Sequence, residues 1–346
     1  LESSNIRGKD NIVLNAKNYI LMLSTVNTDT KDRTETHKSG KKLGKRKTTT
    51  NSWYVDNEYA NGVDLTTDGN IVLNWDINGK KRGANKGIFA QGVNFNAKGQ
   101  VGAYSDGNIY VQGTKDRIHE VFNSHTVKRF GGVKYGSKHD YVNNKIERYR
   151  HTQLYGEAGI TLDSEGKLRV EGADVQSYGN VLLRGKQGVE ILPGEEINSR
   201  YEEHTSKKFK ISGNKNGVFA GIEKNKNTTG TESIKNVGSI INSHAGTVTV
   251  TGDHIISIGS KIGAAGDITL DGAHGVVVKD GENLSVIREQ NEKMRAGAFA
   301  TWNGKRLSAS AGFEATYGKN KNGRVLITPE KNILVTNGNI HIKSSE

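Results

Sequence analysis

Carboxylates are the first residues in this chain whose types and spacing could do chemistry. Asp163, Glu165, Glu171 and Asp174 lie close together, and the pairs Glu195-Glu196 and Glu202-Glu203 follow. Clustered carboxylates, with a cation or a basic residue on one strand face, are what glycan-cleaving sites require. Here the first four are expected at corners and outward positions, a solvated face, and the later pairs have nothing basic at a fixed offset. His119, His125, His139, His151, His204, His244, His254 and His274 lack the His-x-x-x-His spacing of a helical metal site. No Gly-x-Ser-x-Gly nucleophile motif and no Gly-rich calcium nonapeptide occurs, and there is no Cys. Catalysis is therefore not expected, and no metal or cofactor is implied.

Cations offer a different chemistry. Lys and Arg number 49 against 37 Asp and Glu, a net charge of +12. They concentrate in Lys38, Lys41, Lys42, Lys45, Arg46 and Lys47, then Lys128, Arg129, Lys134 and Lys138, then Lys207, Lys208 and Lys210. Basic clusters projected from a rod would attract lipopolysaccharide, sulfated glycan or phospholipid headgroups. The competing reading is that they only solubilise a Gly-rich β surface. Nucleic acid is not expected, because aromatics are not interleaved with the basic runs as stacking partners. A separate stretch, Met294 to Tyr317, alternates Ala and Gly with Phe299, Trp302, Phe313 and Tyr317. That pattern is closer to a barrel-type hairpin than to a soluble one, which makes it a candidate membrane contact.

The elements that must position these groups are repeats. Gly266-Asp267-Ile268-Thr269-Leu270 is a turn residue, an Asn or Asp, then apolar–any–apolar, which gives a short strand with one buried face. The phrase recurs at Gly69-Asn70-Ile71, Gly107-Asn108-Ile109, Gly179-Asn180-Val181 and Gly338-Asn339-Ile340, with looser copies at Asn11 and Asn332. An ungapped offset of 87 lays Val175, Val181, Leu183, Val189 and Ile191 on Ile262, Ile268, Leu270, Val276 and Val278. Another, of 97, lays Gly62-Val63 and Gly69-Asn70-Ile71 on Gly159-Ile160 and Gly166-Lys167-Leu168. Inside these sits a period of about 20: Ser239, Ile241, Gly246, Val248, Val250, Ile256 and Ile258 recur as Ser260, Ile262, Gly266, Ile268, Leu270, Val276 and Val278. A unit of that length cannot bury its own apolar face, so copies must stack. Strand content selects an all-β, right-handed parallel β-helix with about 20 residues per coil. Asn11, Asn70, Asn108, Asn180, Asp267, Asn332 and Asn339 are expected to form a corner ladder, bonding neighbouring backbone from coil to coil.

Gly 43, Pro 2 and Cys 0 suit such a chain: tight corners, paired backbone and no disulfide. With no run of about 18 apolar residues and Leu1 in place of Met, it reads as one β-helix segment, 1–346, interior to something longer. Four polar excursions interrupt the coils, at approximately 24–59, 117–151, 197–236 and 284–323, and a small polar insert falls at 76–86. A first coil pair is expected over Glu2–Leu23 and two closing coils over Arg324–Ser344. The alternating runs around Asn303-Gly304-Lys305 predict a β-hairpin with an Asn-Gly turn, and Gly213–Gly217 reads as a second hairpin tip.

Ser260 to Gly272, with Gly179-Asn180-Val181-Leu182-Leu183-Arg184-Gly185, resembles the haemagglutinin repeats of filamentous haemagglutinin. Related two-partner-secretion exoproteins, including contact-dependent growth inhibition toxins of the CdiA-like kind, carry the same repeats. In that family a second repeat region interrupts β-helix coils with long hairpins at similar spacing, and nearly the whole chain is similar to it. The family's Asn-Pro motifs are missing, since the prolines are Pro193 and Pro329, and no Val-Glu-Asn-Asn junction occurs. The resemblance implies a monomeric, non-catalytic segment of a virulence-type filament on the surface of a Gram-negative cell. It also implies export by an outer-membrane two-partner-secretion transporter and contact with a target-cell or host-cell surface, either as adhesin or in toxin delivery. A β-helical polysaccharide-active enzyme, which would cleave glycan in a calcium-dependent way, is one alternative. A phage-type receptor-binding spike, which would trimerise, is the other.

Overall fold

The computed structural model describes residues 1–41, 44–75, 85–214, 217–303 and 306–344. Among them there is no helix, hence none long and apolar enough to cross a membrane. The short strands form three parallel sheets of eight, eight and seven strands, and the chain visits the three in turn. One coil, for example, is Ala173–Ser177, Asn180–Gly185 and Gly188–Leu192. Each contributes to a different face of a parallel β-helix, here termed the first, second and third faces.

Inward residues stack in columns. On the first face Leu65, Phe95, Leu154, Val175, Ile241 and Ile262 are in register, with Ile6 and Leu334 at the ends. On the second, Ile71, Val101, Ile160, Val181, Val248 and Ile268 do the same. The side chains within these two columns are at most 2% exposed. Burial of each such Val, Leu or Ile is worth roughly 1.5–3 kcal/mol, which lets a chain without disulfides hold its shape.

Every excursion leaves the helix at the same corner, between third and first faces. The four hairpins are Thr25–Lys41 with Lys45–Asn61, Thr114–Phe130 with Val133–Arg150, Gly194–Asn214 with Gly217–Val237, and Gly281–Asn303 with Arg306–Glu330. They are not separate arms. The second strand of each pairs antiparallel with the first strand of the next, giving one eight-stranded sheet beside the rod. The reason is spacing: successive hairpins are two coils apart. Two coils rise by roughly 9.6 Å, twice the inter-strand distance, and a hairpin is two strands wide. At the intervening corners, where no hairpin leaves, the chain turns instead on Gly92, Gly172 and Gly259, all at positive φ (63°, 49° and 51°).

The structure revises several sequence expectations. Residues 5–22 make a single coil, not a pair. The last hairpin runs on to Glu330, leaving only Ile333–Thr336 and Ile340–Ser344 beyond it. The 97-residue match crosses faces: Val63 is on the first face but Ile160 on the second, and Ile71 is on the second but Leu168 on the third. The 20-residue match slips at its end. Val276 stacks on the buried Ile255, not on Ile256, because one residue of slip exchanges the inward and outward sides. The 87-residue match holds in register, with one coil in between.

Candidate functional site

The expected corner ladder divides among three corners. One column precedes the second-face strands. The Asn11 side-chain oxygen accepts from the Asn70 amide (2.8 Å), Asn70 from Gln100 (2.7 Å), Asn180 from Thr247 (2.9 Å) and Asp267 from Asn339 (2.7 Å). Gly159, opposite both Gln100 and Asn180, carries no side chain to continue it. Asn108 lies at the third-face corner, where it accepts from Lys167 (2.8 Å). Asn332 precedes a first-face strand, donates to Ser257 Oγ (2.8 Å), and its own Oδ1 is buried without a partner.

The carboxylate cluster is structural. Asp163 does not lie on a solvated face: its side chain is 8% exposed and pairs with Arg184 of the next coil. Arg184 also reaches Glu165 (3.1 Å), which Lys186 joins from the other oxygen (3.1 Å). Lys186 and then Arg184 hold the Glu165 carboxyl below its usual range. Glu171 is occupied by Arg169 (2.6 Å), Glu203 by Lys226 (2.9 Å) and Glu202 by Arg200 (2.5 Å). Asp174 accepts from Gln176, and Glu196 from the Tyr149 amide. Asp163 and Glu165 are paired across coils, Glu196 and Glu203 across strands, and Glu171, Asp174 and Glu202 with a neighbour two residues away on their own strand.

The basic residues converge because the hairpins fuse. Lys47 lies opposite Lys128, and Arg46 opposite Arg129, across the seam between the first two hairpins. All four are exposed, as are Lys45 and Lys207. Like charges directly opposite on antiparallel strands repel, and among the described residues none of the four has an ion-pair partner. Lys208 differs, sitting 3.6 Å from Glu223, which also pairs with Lys210 (3.0 Å). The Lys41 side chain and all of Lys42 lie outside the described residues.

Large apolar residues are exposed near the same end of the sheet: Phe130 (54%), Val133 (71%), Phe209 (51%) and Ile211 (69%). Their sequence signal is single apolar residues among Lys and Gly, weaker than the alternation of Met294 to Tyr317 in the last hairpin. There, Tyr317 is exposed and Phe299 half-buried against Gly312. The side chains of Trp302 and Phe313, and the turn residues Gly304 and Lys305, lie outside the described residues. The distal end of the sheet thus presents exposed cations and apolar side chains together. A polar groove separates the sheet's root from the third face, lined by Gln112, Lys115, Arg169 and Glu171 among others.

These features define a class: a solenoid whose periodic hairpins are sealed into a single lateral sheet. The family model of the hemagglutinin repeat matches residues 133–252 and 220–346, and the chain belongs to that family. Neither a curated protein nor a solved structure gives a significant match.

Proposed function

We propose that this chain is a non-catalytic, extracellular segment of a secreted filament whose hairpin sheet docks on an anionic cell surface. The observation that carries the reading is the two like-charge register pairs, Lys47 opposite Lys128 and Arg46 opposite Arg129, with no ion-pair partner for any of them among the described residues. Such an arrangement is unfavourable alone and becomes favourable when phosphate or sulfate groups sit between the strands. The neighbouring Phe130, Val133, Phe209 and Ile211 add what a soluble polyanion would not need, an apolar contribution suited to a lipid headgroup boundary. Membership of the hemagglutinin repeat family supports a surface or secreted location.

In this reading the parent protein leaves a Gram-negative cell through an outer-membrane two-partner-secretion transporter. The segment then contacts the outer membrane of a target bacterium or the surface of a host cell, in toxin delivery or adhesion. Paired acids at Asp163, Glu165 and Glu171 favour this over glycan cleavage. Vesicle flotation tests it. The full chain should float with vesicles of anionic phospholipid or lipopolysaccharide and less with zwitterionic ones, and rising salt should weaken recovery. Equal recovery with both, or none with either, would sink the proposal.

A further inference from the structure

The corner between second and third faces brings together three titratable groups, Asp253, His254 and His274. Asp253 and His254 lie on one coil and His274 on the next. Gly252 stacks on Gly272, and Ile255 on Val276. Three backbone bonds fix the two corners against each other: Ala273 N–H to Gly252 O (2.9 Å), His274 N–H to Asp253 O (2.7 Å) and Ile255 N–H to Gly275 O (3.0 Å). The side chains meet above this frame. His254 Nδ1 is 2.9 Å from one Asp253 oxygen, and His274 Nδ1 contacts the other. The two imidazole rings are 5.9 Å apart, centre to centre. One donor atom from each of the three residues falls within 4.8 Å of the other two.

We propose that Asp253, His254 and His274 bind a divalent transition metal, with Zn²⁺ as the reference ion, and that the metal staples two successive coils. Two imidazoles and one carboxylate form a donor set of the borderline class that Zn²⁺, Ni²⁺ and Cu²⁺ accept and that Ca²⁺ and Mg²⁺ do not favour. Metal–ligand distances of about 2.0–2.1 Å place the donors of a tetrahedral site roughly 3.3 Å apart. The present 2.9 Å contact therefore needs to open by a few tenths of an ångström and the shorter His274 contact by more, while every donor pair already lies within 4.8 Å. Binding displaces the two protons now held between the imidazole Nδ1 atoms and the carboxylate, which pass to Nε2 of the same ring or to solvent. Three protein ligands leave the fourth position to water, and side-chain exposures of 37%, 57% and 66% leave the ion free to enter. The role is structural. In a chain with no Cys, a metal at this corner links residues from different coils, as a disulfide would.

Two measurements on the full chain decide it. In Zn²⁺ titration calorimetry the wild type should take up one saturating equivalent, and H254A or H274A should weaken it about 10- to 100-fold. H125A, at the other close His pair, His125 with His139, should leave it unchanged. Absence of saturable binding, loss in H125A alone, or full binding by a D253A/H254A/H274A variant each overturns the site. Because a corner substitution can disturb local packing, Cu²⁺ electron paramagnetic resonance is read on the unmutated chain. Splitting from two imidazole nitrogens supports the site, and one or none overturns it.

Discussion

Reversing the charge of Lys128 and Arg129 together should stabilise the hairpin seam while weakening surface binding. In K128E/R129E both like-charge pairs, with Lys47 and Arg46, become opposite-charge pairs. Two unit charges about 6 Å apart in water repel by roughly 0.7 kcal/mol, and physiological salt cuts that by about half. Changing the sign moves each pair by about twice the remainder, so two pairs give roughly 1.4 kcal/mol. Long side chains relax away from each other, which makes this an upper bound. Native-state hydrogen exchange at the tip amides, Lys45 to Lys47 and Lys128 to Phe130, should slow by up to about tenfold. Binding to anionic vesicles should move the other way. Each basic residue near such a surface contributes about 1 kcal/mol, so loss of two, before any repulsion by the new acids, weakens binding about 30-fold. Faster exchange in the variant would show that the pairs are not in repulsive contact. Undiminished vesicle affinity would remove these residues from the docking surface.

Three further outcomes follow from the packing. A Cβ on Gly194 would lie 2.1 Å from the Tyr149 ring, whose hydroxyl donates to Glu171 O (3.0 Å); G194A should cost about 1–3 kcal/mol by chemical unfolding, and much less in a Y149A background. Glu223 is buried within the sheet, and the Lys210 hydrogen bond above all holds its pKa below the ordinary 4.5. A depressed carboxylate contributes stability above its unfolded pKa and loses it as pH falls through the folded one. The difference in third-hairpin exchange protection between wild type and E223Q should therefore be full near pH 6 and shrink below about pH 4.5. Deleting residues 172–192, one coil, should leave the second-face columns protected but bring the second and third hairpins one strand spacing too close; amides along the seam that pairs Gly136–Glu147 with Ile197–Lys208 should then lose protection.

The rungs were legible because each strand obeys one local rule, a small residue, a polar residue and then alternating apolar positions. That rule is also why the face of a given rung was not legible. The match of Val63 to Ile160 is as good by residue type as a true stacking partner, yet it joins different faces. Ile256 was preferred over Ile255 because both are Ile, and only the neighbouring coil decides which turns inward. Asp163 was misplaced because the residue that permits its burial, Arg184, comes from the next coil. The convergence of Lys47 with Lys128 and of Asp253 with His274 likewise depends on inter-coil register, which residue type alone does not specify.

The alternation of corners explains why fusion of the hairpins is a property of the fold and not of particular hairpin sequences. A hairpin at every coil would need two strand widths in one coil's rise, and the strands would collide. A hairpin at every third coil would leave a gap of one strand, with unpaired backbone along both edges. One hairpin at every second coil fills the available rise without remainder. The glycine corners at 92, 172 and 259 keep the count, since each returns the chain to the first face without an excursion. The hairpin sequences are thereby relieved of specifying their own partners. Pairing across the seams needs only backbone, and side chains at the tips are free to carry charge that would destabilise an isolated hairpin. The like-charge pairs at 46, 47, 128 and 129 are tolerable because the coils beneath them hold the strands in place.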